Sequence, residues 1–193
     1  MRPTADPARL ANLERLGVEF VEGDLFEQNL SPATVIPLYL LPSLNERLRP
    51  KLFQEVRPGT RIVSNAFDMG AWKAERTMTI KTNSGMQSYA YLWIIPADVS
   101  GQWRLTTQGG SAREYTLDIK QKYQEVSGTA TSGGKAAPLT NFSVQGDQVS
   151  FAVGDGADRT EFTGKVSDDK ASGMAKGKGG SPSWSAVRTK PGE

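Results

Sequence analysis

The hydrophobic positions divide the chain into two parts with different periods. Before residue 81, apolar side chains occur in continuous runs or at helical spacing, which predicts alternating helices and strands. From residue 90 onward, short runs alternate apolar and polar residues between glycine or Asx turns, a pattern typical of antiparallel strands. Only four of the 20 glycines precede residue 81. We therefore expect a change of architecture near residues 81–88 and two units, residues 1–82 and 88–193.

The first part is expected to alternate helix and strand. The predicted elements are, in chain order, a helix at 7–16, strands at 18–21 and 34–41, a helix at 44–56 and a strand at 60–67. On the second helix, Leu48, Leu52 and Val56 form one apolar stripe, and Pro50 is expected to kink or restart the helix. The nearly continuous apolar run at 34–41 is typical of a strand covered on both faces. This order predicts a segment of an open α/β sheet.

The second part predicts eight or nine strands at spacings of about 8 to 12 residues. They begin with the run YLWII at 91–95 and end with SWSAV at 183–187. A closed barrel leaves no long edge open, so we expect an all-β antiparallel meander that closes where GQW (101–103) meets PSWSAVR (182–188). Trp103 and Trp184 are expected in its core and not in a ligand cage.

Composition excludes much of enzyme chemistry. The chain contains no cysteine and no histidine, so it has no disulfide, no thiolate nucleophile, no histidine metal ligand and no Ser-His-Asp triad. The formal charge of +2 gives no electrostatic reason to expect nucleic acid or an anionic membrane as partner. The longest apolar runs are shorter than the about 20 residues that cross a bilayer. We expect no bound metal, and a cytoplasmic protein as written, or a periplasmic one if an upstream signal sequence is missing.

Three predicted strand ends supply the candidate chemistry, because ligands of an open α/β sheet bind at the carboxyl ends of its strands. At the first end, Asp24 is placed to accept a hydrogen bond from an adenine amine while Leu25 or Phe26 packs on the ring. The second end, 39–42, combines a phenol with backbone carbonyls. The third end is the segment 64–70.

Each of these features also has a simpler interpretation. Taken alone, Asp24 is more typical of a loop carboxylate or a helix cap, and Tyr39 of a core aromatic residue whose hydroxyl reaches the rim. The GDGADR segment at 154–159 lacks the alternating ligands and closing glutamate of a calcium loop. SGGK (132–135) and KGKGG (176–180) lack the spacing of a phosphate-binding loop. We interpret these three segments as turns.

The segment from Phe20 to Trp72 resembles the second half of a class I S-adenosylmethionine-dependent methyltransferase, and the similarity extends over about residues 6–75. Its most specific part is the YLLPS loop followed by NERLRPKL. The layout of the fourth family strand is similar to that of mitochondrial protein-lysine methyltransferases. The resemblance implies a partial Rossmann-like α/β sheet and S-adenosylmethionine as cofactor.

The resemblance also implies roles for individual residues. In that family the acid after strand three contacts the adenine, and Asp24 with Leu25 matches this position. The loop after strand four adjoins the methyl donor and the acceptor, and residues 39–42 match it. The implied cofactor-binding residues are Asp24, Leu25, Phe26, Leu40, Leu41 and Pro42, and the implied catalytic residue, nearest the methyl group, is Tyr39.

Two motifs of the family would precede Asp6, namely the glycine-rich loop after strand one and the acid that ends strand two. Neither is present in this sequence, so we expect a methyltransferase that lacks about the first third of its catalytic domain. The methyl acceptor is unknown, with protein lysine as one candidate. The missing histidine is compatible with this chemistry, because in-line positioning supplies much of the acceleration.

The barrel part leaves other functions open. The tail at 90–188 resembles small lipocalin-like meander domains appended to bacterial enzymes. It is expected either to bind a small ligand or a partner beside a non-catalytic α/β remnant, or only to cover the sheet or mediate self-association. A small sheet with helices on one side would expose part of the run 34–41, whose burial is worth about 25 cal/mol per Å². We therefore also expect self-association through the exposed sheet.

Overall fold

The computed structural model describes residues 15–81, 85–109, 112–178 and 180–192. Within these ranges the chain forms one α-helix, one 3₁₀ turn (Gly156–Asp158) and twelve strands, arranged as a four-stranded sheet and a closed eight-stranded barrel. The predicted helix at 7–16 lies outside the described residues except for its last two positions. The described protein is therefore mostly β.

The small sheet is mixed. It contains β1 (Val35–Leu38), β2 (Arg61–Asn65), β3 (Arg76–Lys81) and β4 (Gln87–Ile94) in the order β1-β2-β4-β3. β1 and β2 are parallel and are connected through α1 (Pro42–Glu55), whereas β4 runs antiparallel to both of its neighbours. Only the β1–α1–β2 part therefore has the predicted α/β character, because a helix joins parallel strands there and nowhere else among the described residues.

Helix α1 begins at a proline and ends before a residue with extended backbone. Pro42 occupies the first helical position, where its missing N–H costs nothing, and the helix continues on both sides of Pro50. The predicted stripe is confirmed, because Leu48, Leu52 and Val56 are all buried. Within the described residues, no helix reaches the length and hydrophobicity that crossing a membrane would require.

Among the described residues, the small sheet is covered on one face only. Burial alternates along β1 and β2, and the paired residues Ile36, Ile62 and Trp93 belong to the same buried core as α1. On the opposite face, Val35 and Val63 are exposed. The prediction that the run 34–41 is covered on both faces is therefore wrong, because the described residues place a helix on one side only.

The predicted strand at 18–21 is absent from the described structure. Val18, Phe20 and Val21 are exposed and pair with no other described strand. A strand is stable only when a neighbour satisfies its backbone groups. The apolar pattern at 18–21 therefore fails to produce a strand because no neighbour is available to it among the described residues.

The second part forms the predicted antiparallel barrel. Its strands are β5 (Gly101–Thr107), β6 (Glu114–Lys122), β7 (Glu125–Ser132), β8 (Lys135–Gln145), β9 (Gln148–Val153), β10 (Thr160–Ser167), β11 (Lys170–Lys176) and β12 (Ser183–Pro191). Consecutive strands pair, and β12 pairs with β5 to close the barrel, which confirms the predicted closure between these strands, although GQW and PSWSAVR pair directly only through Trp103 and Arg188. The run YLWII, expected in the barrel, lies mainly in β4 of the small sheet. The division into units 1–82 and 88–193 stays a prediction.

Arg188 reinforces the closure between the first and last barrel strands. Its side chain is largely buried, with the guanidinium over the ring of Trp103 at 4.6 Å from the centroid. The guanidinium donates to the carbonyl oxygen of Asp98 at 2.6 Å and lies 2.8 Å from the Asp169 carboxylate. These contacts connect β12 to the segment before β5 and to the β10–β11 turn. Side-chain hydrogen bonds and an ion pair therefore reinforce the backbone hydrogen bonds that close the barrel.

Aromatic rings fill the barrel interior. Phe151 and Phe162 stack with their centroids 4.9 Å apart, and each contacts Trp184 at about 6 Å. Trp103 and Trp184 are buried, which confirms that they are core residues. A cavity of about 20 Å³ lies beside them, close to the volume of a single water. This cavity has no space for an apolar ligand.

One end of the barrel packs against the small sheet. Tyr123, in the β6–β7 turn, lies with its ring 5.6 Å from that of Phe53 and 6.1 Å from that of Trp72. Lys73 forms an ion pair with Glu125 at 2.8 Å. The described residues that connect β5 to β6, β9 to β10 and β11 to β12 lie at the other end of the barrel, because successive turns of a meander alternate between its ends.

Candidate functional site

The carboxyl ends of β1 and β2 meet at one edge of the small sheet, since the two strands are parallel. Residues 39–41 follow β1, and residues 66–70 follow β2. Helix α1 starts immediately after the first of these loops, so its first turns lie beside both. This edge therefore brings together the second and third predicted strand ends.

The loop after β1 is open to solvent. Tyr39 is 85% exposed and Leu41 is 61% exposed, whereas Leu40 packs against the core of the small sheet. Pro42 is also exposed at the start of α1. The simpler interpretation of Tyr39 as a core aromatic residue is wrong, because the phenol lies outside the core. The loop therefore presents both a hydroxyl and apolar carbon to a ligand.

Asp24 lies in a tight turn and not at the end of a strand. Its Oδ1 accepts a hydrogen bond from the backbone N–H of Phe26 at 2.9 Å, and its carbonyl oxygen accepts one from Glu27 at 3.0 Å. The residue is exposed. A carboxylate has about four acceptor positions, of which the bond to Phe26 uses one. Asp24 is therefore a loop carboxylate that retains capacity for a ligand.

The two residues after Asp24 are half-buried against the same small core as Leu40. The ring of Phe26 carries the guanidinium of Arg47 at 3.9 Å from its centroid. One face of this ring is thus occupied by a side chain of α1. Leu25, for which no such contact exists among the described residues, is the better candidate for packing on a ligand ring.

A carboxylate on α1 holds the Asp24 turn in place. The backbone N–H of Leu30 donates to Glu55 Oε2 at 3.2 Å, and Lys51 forms an ion pair with the other oxygen of Glu55. The hydrogen bond from Lys51, followed by that from Leu30, keeps the pKa of Glu55 below its ordinary value. The segment that contains Asp24 is thereby attached to the same helix that lies beside the loops at 39–41 and 66–70.

Sequence reasoning missed a buried polar cluster beneath the loop at 66–70. Asn45 is 0% exposed, and its Nδ2 donates to Ser64 Oγ at 3.2 Å and to the carbonyl oxygen of Asp68 at 3.1 Å. Its Oδ1 has no partner among the described residues. The helical spacing could have predicted that Asn45 is buried, because Asn45 stands three residues before Leu48 and continues the apolar stripe of α1.

Further bonds fix the conformation of this loop. Arg49 Nη1 donates to the carbonyl oxygen of Met69 at 2.6 Å, and Asp68 Oδ1 accepts from the N–H of Gly70 at 3.0 Å. Ala66 has a φ of 67°, which an L-residue adopts only when its surroundings impose it. The loop after β2 is therefore held rigidly against α1, which is the property a ligand-binding loop requires.

Comparison with known proteins places the first part of the chain in context. Residues 5–76 match the family described as the ANTKMT methyltransferase domain. A protein-lysine N-methyltransferase of Saccharolobus islandicus (strain REY15A) is 39% identical over 90 residues, which cover 45% of this chain and 55% of that protein. The chain thus spans about half the length of the curated relative it matches.

A solved structure also resembles part of the chain. It is the crystal structure of an RNA methyltransferase from Salinibacter ruber in complex with S-adenosyl-L-homocysteine, with 43% identity, coverage of 49% of this chain and 63% of that one, and a TM-score of 0.41. The predicted resemblance to class I methyltransferases is confirmed for the first part of the chain by the family match. The individual site residues stay predictions.

Proposed function

We propose that this chain, whose first part resembles a stretch of a class I methyltransferase domain, functions in methyl transfer from S-adenosylmethionine, with protein lysine as the acceptor. We further propose that β1, α1 and β2 are part of a Rossmann-like sheet. The observation that carries the proposal is the exposed sheet edge, where the open Tyr39 loop lies beside the fixed loop at 66–70. The family match over residues 5–76 and the relative named as a protein-lysine N-methyltransferase support it.

The described residues fit one half of S-adenosylmethionine. Asp24 retains acceptor positions for the adenine amine, and Leu25 and Leu40 offer apolar carbon beside the same core. The exposed Leu41 and Pro42 extend this apolar surface. Residues 15–81 contain no glycine-rich loop of the family type for the methionine end. The described residues therefore suit the adenine half of the cofactor, and we propose that the adenine binds at this edge of the sheet.

The chain's own residues would position the reactants. S-adenosylmethionine, when bound, supplies a methyl group on a positively charged sulfur. The rigid loop at 66–70 and the start of α1 would form one wall of the site and exclude water from it. The Tyr39 hydroxyl would orient the acceptor amine through a hydrogen bond, and holding donor and acceptor in line supplies much of the acceleration in such displacements.

Adenine recognition is tested with the full chain and two probes, adenosine and S-adenosylmethionine. Both are expected to shift the backbone amide resonances of residues 24–26 and 39–41 in a saturable manner. Asp24→Asn should weaken binding about tenfold, because asparagine keeps the turn bond to Phe26 but replaces the free oxygen by a donor that repels the adenine amine. Glu27→Gln, in the same turn, is the matched control and should bind like the native chain.

Catalysis is tested with radiolabelled S-adenosylmethionine and polylysine as acceptor. Tyr39→Phe should lower turnover without changing cofactor binding, and unchanged turnover would remove the phenol from the mechanism. The proposal is overturned if neither adenosine nor S-adenosylmethionine shifts the loop resonances at millimolar concentration. Binding without methyl transfer would limit the proposal to cofactor recognition by this chain.

A further inference from the structure

A large cavity lies at the end of the barrel that faces away from the small sheet. Its volume is about 540 Å³, within the range of about 300 to 1,000 Å³ that is typical of small-molecule sites. Its walls are residues 107–109 and 113 near the β5–β6 connection, 158 and 160 near the β9–β10 connection, and 177, 178 and 180–182 near the β11–β12 connection. None of these segments contributes to the sheet edge described above.

The floor of this cavity is a buried phenol that supports a guanidinium. The ring of Tyr115 belongs to the barrel core, edge-to-face with Phe162 at 5.9 Å. The Arg113 guanidinium interacts with the Tyr115 hydroxyl, which raises the pKa of Arg113 above its already high ordinary value. The backbone N–H of Arg113 also donates to Thr107 Oγ1 at 2.9 Å. The backbone of this exposed arginine is thus fixed at the cavity.

A second cation faces the cavity from the β11–β12 turn. Gly177 and Gly180 exchange backbone hydrogen bonds of 3.0 Å in both directions, and Lys178 lines the cavity. Among the described residues, Lys178 has no ion-pair partner. A Cβ atom on Gly177 would lie 3.0 Å from Thr160 Oγ1, so a larger residue at this position requires a small shift of the Thr160 side chain.

The lining has a net positive charge and many neutral hydrogen-bonding groups. Asp158 is the carboxylate among the described lining residues, against the two cations Arg113 and Lys178. Thr160, Ser181 and Gln108 add hydroxyl and amide groups. A guanidinium binds carboxylate and phosphate oxygens in pairs, while hydroxyls and amides suit the hydroxyl groups of a sugar or polyol.

We propose that the open end of the barrel binds a small hydroxylated anion, a polyol or sugar that carries a carboxylate or a phosphate. The anionic group pairs with Arg113 and Lys178, and the hydroxyl groups bond to Thr160, Ser181 and Gln108. The ligand stays at the mouth, because aromatic side chains fill the interior below Tyr115. This site uses no residue of the proposed methyl-transfer edge, so either proposal can fail without the other.

The test compares three probes that share one carbon skeleton, namely glucose 6-phosphate, gluconate and glucose. Each is titrated into the full chain while backbone amide resonances are followed by NMR. We expect saturable shifts at residues 107–109, 177–178 and 181 with at least one of the two anions and none with neutral glucose. The anion that binds more tightly identifies phosphate or carboxylate as the natural group.

Two variants locate the contact. Arg113→Gln and Lys178→Gln should each weaken binding of the preferred anion about tenfold or more, with thermal unfolding confirming that the barrel is intact. Lys170→Gln, an exposed lysine at the opposite end of the barrel, is the matched control and should bind like the native chain. The proposal is overturned if neither anion shifts the mouth resonances, if glucose binds as tightly as the anions, or if both glutamine variants bind normally.

Discussion

At the scale of single residues, the amide of Asn45 shows how the candidate edge is held together. A buried polar group costs free energy when it is left unbonded. Asn45 Nδ2 donates to Ser64 Oγ and to the carbonyl oxygen of Asp68, whereas its Oδ1 has no partner among the described residues. Asn45→Ala should therefore lower the free energy of unfolding by about 1 to 3 kcal/mol, because it leaves buried acceptors unpaired. Denaturant unfolding followed by tryptophan fluorescence measures this loss.

Gln54→Ala provides the control for that measurement. Gln54 lies on the same helix and carries the same functional group, but it is exposed. Its replacement should change the free energy of unfolding by no more than about 0.5 kcal/mol. Equal effects of the two substitutions would show that the buried amide contributes nothing beyond helix propensity.

At the scale of elements, the attachment of the Asp24 turn to α1 should depend on pH. The pKa of Glu55 is lowered in the folded protein by Lys51 and by the N–H of Leu30. A group with a lowered folded pKa contributes its stability above the unfolded value, near 4.5, and this contribution is lost as the pH falls through the folded pKa. We expect the Leu30 amide resonance to move to its unbonded position as the pH is lowered through this range.

Glu55→Gln should remove most of this dependence. The neutral side chain loses the ion pair with Lys51, so the Leu30 resonance should shift toward its unbonded position already at neutral pH. Glu46→Gln, on the same helix, serves as the control, and in this variant the Leu30 resonance should respond to pH as it does in the native chain. A Leu30 resonance that does not respond to pH in the native protein would contradict the assigned role of Glu55.

The β6–β7 turn is expected to fix the barrel against the small sheet. Tyr123 has a φ of 59° and contacts Phe53, Trp72 and the guanidinium of Arg49. Tyr123→Ala should cost about 2 to 4 kcal/mol of unfolding free energy through the lost aromatic burial. Tyr123→Phe keeps the ring and should be nearly neutral. If the alanine variant unfolds like the native chain in denaturant, the turn does not fix the two units.

Local sequence patterns correctly predicted the helix and the strands whose apolar side chains form a buried face. They failed where the structure of a segment depends on which strand lies next to it. The stripe of Leu48, Leu52 and Val56 defined α1, and strict alternation defined the barrel strands. The pattern at 18–21 predicted a strand that does not form, since its apolar residues have no partner strand in the described structure. The run YLWII was assigned to the barrel because alternation does not reveal which sheet a strand joins.

For the candidate edge, the sequence identified loops but not their supports. Tyr39 and Asp24 were found because they follow apolar runs, and the structure exposes both. Asn45 and Arg49 were missed, because their role depends on bonds to residues about 20 positions away. Contacts across such distances leave no local periodicity. A polar residue within an apolar stripe was the only trace.

At the scale of the whole molecule, the small sheet exposes apolar side chains on the face opposite α1. Val35, Val63, Met78 and Ile80 are all exposed on it. The side of β1 that does not pair with β2 offers few backbone donors. The carbonyl oxygen of Thr34 points toward β2, where it accepts from Arg61, so the backbone groups of Val35 and Pro37 point to the opposite side. Pro37 has no N–H to donate there. Edge-to-edge pairing is therefore disfavoured, and contact through the face is left as the route to association.

We accordingly expect the chain to form a dimer through this face, with the dissociation constant measured by sedimentation velocity. Val63→Lys should raise that constant by about tenfold or more, since it places a charge in the apolar contact. Higher salt should strengthen association, because Arg61 and Arg76 lie on the same face and repel their copies. Val187→Lys, an equally simple change at an exposed valine of the barrel, should leave the constant unchanged. A native chain that remains monomeric at all accessible concentrations would show that the exposed face is too small or too charged to pair.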